Sequence, residues 1–324
     1  MKIVFLISRK EKPSSRLRVL QYIPYLKEFD IDIVEARKSI KRRFSFLFKA
    51  FGADIVFVQK KLLTRFEVFI LNFAKCGKIF DFDDAIIYQD RNGNVKLDFN
   101  RKKRLENIAK KFDLIIAGNE YLKKLVEPFS KRVVVIPTPY KKPKKINYEK
   151  RKEHSVVWIG SKSTLVYLNE LQNVFSKLQD KYEDFMLIVI SDSFPDFQNI
   201  RMKRIFWKND KEDEYLQEGY VGIMPLKDDE WCKGKCGFKL IQYMSNGIPS
   251  VASPVGANKS MIKEGLNGFF AVNENEWFEK ISLLFDNKKM YKNMAQESVK
   301  VYEEKYSLYT NAEKLKNCIM ELLD

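Results

Sequence analysis

Residues 221–256 read VGIMPLKDDEWCKGKCGFKLIQYMSNGIPSVASPVG. Two short apolar runs, VGIMPL (221–226) and IPSVAS (248–253), stand on either side of a helical pattern over about 238–246. Gly237 opens that helix and Gly247 ends it, because a residue without a β-carbon accommodates a tight helix boundary. A strand, a helix and a second strand of these lengths make one unit of a parallel sheet.

The same alternation continues outward. Further strands are predicted at 2–8, 31–36, 54–59, 78–82, 113–118 and 132–138, then at 155–160, 185–191, 204–207 and 268–272. Between the two series lies KKPKKINYEKRKEH (141–154), basic and broken by Pro143, which reads as a linker. The chain ends in helical patterns over 289–306 and 309–323, with a break at Tyr306-Ser307. The expectation is an α/β protein of two Rossmann-like domains, 1–145 and 151–305, with parallel sheets facing across a cleft. A closing helix within 306–324 is expected to cross back onto the first domain. A length of 324 residues suits two cores better than one. Ligands of such sheets bind beyond the carboxyl ends of the strands, so the loops there carry the functional reading.

Charge divides the chain. Residues 1–150 hold 35 Lys and Arg against 17 Asp and Glu, whereas 151–324 hold 24 against 26. One face of the first half is therefore expected to meet an anion. No apolar run reaches the ~18–20 residues of a membrane-spanning helix. MKIVFLISRK is charged too early for a signal peptide and reads as a first strand. Cys76, Cys232, Cys236 and Cys318 suggest no disulfide framework in a chain this long. A cytoplasmic protein is expected, possibly peripheral on the cytoplasmic face of a membrane. Nucleic acid is the competing anion, but no recognised binding motif is present, and no nucleic-acid partner is expected.

Several loops could carry chemistry. After SVVWIG, Gly160, Ser161, Lys162, Ser163 and Thr164 precede a helical pattern, where free N–H groups could receive a phosphate; an ordinary Ser/Thr N-cap fits equally well. The spacing is not that of a P-loop, and no G-x-G-x-x-G is present. In the helix at 238–246, Lys239 and Gln242 share a face. With Lys235 and Gly237 they could meet a diphosphate, or the helix could be a surface one packing Phe238, Ile241 and Met244 inward. Asp81-Phe82-Asp83-Asp84 ends a strand, and Asn119 and Glu120 follow another. Either the aspartates orient a hydroxyl or they form a solvated, capped turn. His154 is the only histidine, which excludes a His-based triad or zinc site.

The opening stretch resembles the donor-binding segment of retaining family-4 glycosyltransferases (glycosyltransferase group 1) of the GT-B fold. SRLR (15–18), FDFDDAI (80–86), AGNEYL (117–122), WIGSKST (158–164) and GLNGFFAV (265–272) match the family in order along nearly the whole chain. The resemblance implies transfer of a sugar from a UDP- or GDP-linked donor to a hydroxyl, with retention and without a metal or other cofactor. The family's E-x7-E pair, aligned on Gly247, falls on Gly234 and Gln242, so the first acid is missing and the second is an amide. A Glu that many relatives carry after the V-G turn falls on Ser260. The resemblance assigns Lys239, Asp83 and Asp84 to catalysis. It assigns Gly160 to Thr164, Lys235, Gly237, Phe238 and Gln242 to the donor, and Ser15, Arg16, Asn119 and Glu120 to the acceptor side. The acceptor implied is a glycan or a lipid-linked one in cell-surface polysaccharide or glycolipid synthesis. The missing acids leave two alternatives, a non-catalytic nucleotide-sugar-binding homologue and a sugar-nucleotide epimerase.

RKSIKRRFSFLFKAFG (37–52) places Ile40, Phe44, Leu47, Phe48 and Phe51 on one helical stripe. Arg37, Lys38, Lys41, Arg42, Arg43 and Lys49 surround it. Such a helix either lies on an anionic lipid surface or packs its stripe on the core.

Overall fold

In the computed structural model, which describes residues 1–36, 40–91 and 94–323, the chain divides into two compact units. The first gathers Met1–Pro139, Asp229–Cys236 and Leu308–Asp324; the second gathers Tyr140–Asp228 and Gly237–Ser307. Residues 229–236, which the sequence groups with the second half, thus belong to the first unit.

The strands of the first unit are β1 (Lys2–Ile7), β2 (Asp30–Glu35), β3 (Ile55–Gln59), β4 (Gly77–Phe82), β5 (Tyr88–Arg91), β6 (Asn94–Leu97), β7 (Leu114–Ala117) and β8 (Val133–Val135). Six of them form a parallel sheet in the order β2-β1-β3-β4-β7-β8, while β5 and β6 pair as an antiparallel hairpin that the strand reading did not include. Successive side chains leave a strand on opposite faces. Ile3, Phe5 and Ile7 therefore enter one apolar cluster with Ile55, Phe57 and Ile79, and Val4 and Leu6 enter the other with Val56, Val58 and Phe80. Burial on both faces explains why these strands read as continuous apolar runs. Each such side chain contributes about 1.5–3 kcal/mol when fully buried. The helix Leu308–Met320 lays Ala312, Leu315 and Ile319 on the cluster around Ile3 and Phe5.

The second unit repeats the plan with β9 (Ser155–Ile159), β10 (Met186–Ser191), β11 (Met202–Phe206), β12 (Val221–Met224), β13 (Ser250–Ala252) and β14 (Gly268–Phe270). Their parallel order is β11-β10-β9-β12-β13-β14. Val156, Trp158, Leu187 and Val189 face one cluster; Val157, Ile159, Ile188 and Ile190 face the other. The helix Phe238–Ser245 is buried from Leu240 to Ser245, so the surface-helix reading does not describe it. Its Tyr243 hydroxyl donates to the Ile223 carbonyl (3.1 Å) and accepts the Ile159 N–H (3.3 Å), joining β12 and β9.

The stretch read as a linker packs on this unit. Arg151 is buried and donates to the carbonyls of Gly247 (2.9 Å) and Asn246 (2.6 Å) and to the Tyr291 hydroxyl (2.6 Å). A cation at carbonyls that a helix leaves unpaired is favourable, which explains how so polar a stretch is held. In each sheet the strand order reverses direction once, between β1 and β3 and between β9 and β12. These are the points where open α/β sheets form ligand crevices.

Candidate functional site

In the first unit the turn after β4 organises the charged groups. Asp81 and Arg18 are both 1% exposed and form an ion pair, with Arg18 Nε donating to Asp81 Oδ2 at 3.2 Å. A third guanidinium nitrogen donates to the Ile136 carbonyl at 2.7 Å. Within SRLR the residue that reaches the end of β4 is therefore Arg18. Ser15 is buried, and its hydroxyl has no hydrogen-bond partner among the described residues.

Asp83 and Asp84 share the Lys60 ammonium, 3.2 Å from Asp83 and hydrogen-bonded to Asp84. Lys60 follows β3 with φ 56°, a left-handed conformation that costs a non-glycine residue roughly 1–3 kcal/mol. Its own N–H donates to the Asp81 carbonyl at 2.7 Å, which pins it there. Burial opposes the Lys60 charge, but Asp83 and Asp84 outweigh it and raise its pKa above the usual lysine range. Burial, then the neighbouring Asp83 charge, push the Asp84 carboxyl up despite Lys60. These aspartates are partnered groups at a strand end, not a solvated turn.

The segment Asp229–Cys236 is clamped against that turn. Asn119 caps the helix Glu120–Val126 by accepting the Leu122 N–H (2.8 Å), and its amide nitrogen donates to the carbonyls of Lys233 (3.2 Å) and Lys235 (3.0 Å). Both ends of the Asn119 amide are thus used within the protein; Glu120 beside it is exposed. Cys236 Sγ donates to the Asp83 carbonyl at 2.9 Å, and the Tyr121 hydroxyl donates to Glu230 at 2.6 Å. Lys235 Nζ lies 5.4 Å from the centre of the Trp231 ring.

Gly234, where the resemblance would place the first acid of the E-x7-E pair, is constrained by the same packing. A β-carbon there would lie 2.3 Å from Ala85 Cβ and 2.7 Å from the Ala85 backbone nitrogen. No side chain fits while the segment stays in place. Gly234→Ala is expected to destabilise the first unit by about 1–3 kcal/mol, as overpacked positions do. Urea unfolding followed by circular dichroism reads this; an unchanged midpoint would show that the segment yields freely.

In the second unit, Gly160 to Thr164 follow β9 at the reversal of strand order. The Thr164 hydroxyl donates to the Ser161 carbonyl (3.0 Å) and accepts the Ser161 N–H (3.2 Å), while the Ser161 and Ser163 hydroxyls lie 3.0 Å apart. The loop is a capping box, and the helix that follows spans only Leu165–Asn169. The helix dipole expected here is correspondingly small. The Lys162 N–H donates to Asp192 at 2.7 Å. At Gly160 a β-carbon would fall 2.4 Å from the Trp158 ring, so the glycine makes room for that tryptophan. Over the same ring stands Lys239, its Nζ 5.3 Å from the ring centre, a cation–π arrangement. Gly237 adopts φ 63° at the start of the helix, the conformation glycine tolerates best. Gln242 is buried on that helix, and Phe238 packs edge-on against Tyr140 at 5.8 Å.

A family model described as "Glycosyl transferases group 1" matches residues 153–287, less than half of the chain. The whole chain superposes on known structures at low identity. Anabaena HepE in complex with UDP gives a TM-score of 0.75 at 14% identity, over 99% of this chain and 100% of that one. A glycosyltransferase from Rickettsia africae ESF-5 gives 0.75 at 15%, over 100% and 98%. The fold is GT-B. A sucrose-phosphate synthase from Thermosynechococcus elongatus shares it at 10% identity, with a TM-score of 0.71 over 99% of each chain. A search of the curated proteins finds no match. The part of this GT-B chain that matches the family model contains Gly160, Trp158, Lys239 and Gln242.

His154 stacks on Tyr182 (4.6 Å) and pairs with Asp184 (2.5 Å). Among the described residues no group of three or more His, Cys, Asp or Glu side chains could hold a metal ion, and no helix is long and apolar enough to cross a membrane. Of the basic aromatic stretch, Arg37 and Lys38 lie outside the described residues. In the helix Ile40–Ala50, Phe46 and Leu47 are buried, while Phe44, Phe48 and the following Phe51 are exposed. The stripe therefore divides, with part on the core and part on the surface.

Proposed function

We propose that this protein transfers a glycosyl group from a nucleotide-sugar to a hydroxyl, with retention at the anomeric carbon. The observation that carries this reading is the meeting of Lys239, Trp158 and Gly160 at the strand-order reversal of the unit that matches the group 1 model. There Lys239 meets the donor diphosphate and stabilises the charge that builds on it as the glycosidic bond breaks, the main electrostatic demand of such a step. Gln242 reaches the ribose hydroxyls through its amide, and Gly160 to Thr164 with Gly237 and Phe238 line the donor. Asp83 and Asp84, held by Lys60, orient the acceptor hydroxyl. Structures of HepE with UDP and with UDP-glucose favour a uridine donor. No metal or other cofactor has a role in this reading.

Calorimetric titration with UDP-glucose, UDP-N-acetylglucosamine and GDP-mannose tests the donor site. One donor is expected to bind, and roughly tenfold more weakly in Gln242→Ala, which loses ribose hydrogen bonds. Absence of binding by every donor would remove the reading. Binding without turnover would favour the non-catalytic homologue that the packed Gly234 keeps in view.

We also propose peripheral attachment at the cytoplasmic face of an anionic membrane, which suits a lipid-linked or cell-surface glycan acceptor. The exposed Phe44, Phe48 and Phe51 are joined by Phe66, Phe69 and Phe73 on and after the neighbouring helix Arg65–Leu71. Arg43 ties the two helices through Glu67 at 2.5 Å. Exposed Lys41, Arg42 and Arg65 lie on the same elements, and basic residues beside exposed aromatics favour an anionic interface. Phe48→Glu with Phe69→Glu is expected to cut co-sedimentation with anionic vesicles by about tenfold or more, each change removing an exposed ring that would enter the lipid interface and adding a repelled charge. Co-sedimentation indifferent to lipid charge, salt and these substitutions would contradict it.

A further inference from the structure

The first unit holds a cavity of about 490 Å³ at the carboxyl ends of β1, β3 and β4, where its strand order reverses. The walls carry five cations, Lys12, Lys60, Lys61, Arg101 and Arg104, against one carboxylate, Asp84. Lys60 is neutralised by Asp83 and Asp84, and Arg101 lies 3.4 Å from Asp98. Lys12, Lys61 and Arg104 have no acidic partner among the described residues. Gln59 on the same wall is fully buried, and among the described residues neither its amide nitrogen nor its amide oxygen has a hydrogen-bond partner. A buried amide without partners is costly, and a ligand oxygen would satisfy its N–H.

The geometry points to a binding site for a phosphate or diphosphate group, held by Lys12, Lys61 and Arg104 with Gln59 donating from the cavity wall. Three uncompensated cations exceed what one carboxylate would neutralise and match the charge of a diphosphate. Burial and the positive charges of Lys12, Arg43 and Lys60 lower the Lys61 pKa, a penalty that an anion would relieve. Arg104 also lines an adjoining cavity with Thr64 and Arg65. Arg65 begins the helix that exposes Phe66 and Phe69, so a hydrocarbon attached to the bound phosphate has an aromatic surface beside it. As the anionic part of a glycosyl acceptor the group rests on the transfer reading; its binding does not.

The test uses sodium pyrophosphate and vesicles, with no nucleotide-sugar, so that the transfer reading can fail while this site stands. Wild-type protein is expected to bind pyrophosphate at low salt. Lys61→Gln and Arg104→Gln should each weaken binding roughly tenfold, the usual scale for losing a charge-assisted contact. Their melting temperatures should stay at the wild-type value. In a second arm, phosphatidylcholine vesicles carry either a polyprenyl diphosphate or the uncharged polyprenol. Preference for the diphosphate vesicles, lost in the double variant, supports a lipid-linked group. Binding of soluble pyrophosphate with no vesicle preference supports the site with a free phosphate as its source. If wild type ignores pyrophosphate, or the double variant binds it as tightly, the proposal is overturned.

Discussion

Lys239→Ala is expected to lower kcat by roughly 10²–10³-fold, the scale seen when a group stabilising developing negative charge is removed. KM for the donor should change much less, because the charge on the leaving diphosphate grows during bond cleavage. The substitution leaves the apolar packing of its helix in place, since Leu240, Ile241, Tyr243 and Met244 make that packing. The melting temperature should therefore stay near that of wild type. Steady-state release of nucleotide diphosphate measures the effect. Turnover at the wild-type rate would show that the cation over Trp158 has no part in the reaction.

The largest effect on stability is expected at Arg18. Arg18→Met leaves Asp81 as a buried carboxylate without its counter-ion, which costs roughly 3–5 kcal/mol. The Ile136 carbonyl loses its donor at the same time. Replacing both partners, as Arg18→Met with Asp81→Leu, should recover much of that loss, because the cost lies in the unpaired charge and not in the missing pair. Chemical denaturation of the two variants separates these cases. A single variant within 1 kcal/mol of wild type would mean that water or another cation replaces the guanidinium.

The inner strands of each sheet are legible because both of their faces are buried, so that KIVFLI and MLIVIS appear as unbroken apolar runs. The hairpin at 88–97 is hard to see in the sequence, since YQDRNGNVKL is mostly polar, although the Asn-Gly dipeptide at 92–93 is a common hairpin-turn signal. The site was partly legible. Residue type and position after a strand pointed to Asp83, Asp84 and the loop at 160–164. Nothing local separates Arg18 from Arg16, because the carboxylate that selects Arg18 is 63 residues away in sequence. Lys60 was missed for the same reason, as its partners belong to another strand end. Gly234 could be seen as a missing acid, but the cause lies in Ala85, a tertiary neighbour. Asn119 was recognisable as a residue before a helix, whereas its grip on the carbonyls of Lys233 and Lys235 depends on where 229–236 folds.

The transfer reading is tested most directly by nucleotide release from a panel of UDP- and GDP-sugars, with and without membrane or glycan extract as acceptor. One donor should release its nucleotide diphosphate in proportion to the extract added, with the sugar recovered on the extract and the rate falling at least a hundredfold in Lys239→Ala. If no donor is consumed, or if the donor sugar is interconverted with no transfer to the extract, the account is contradicted.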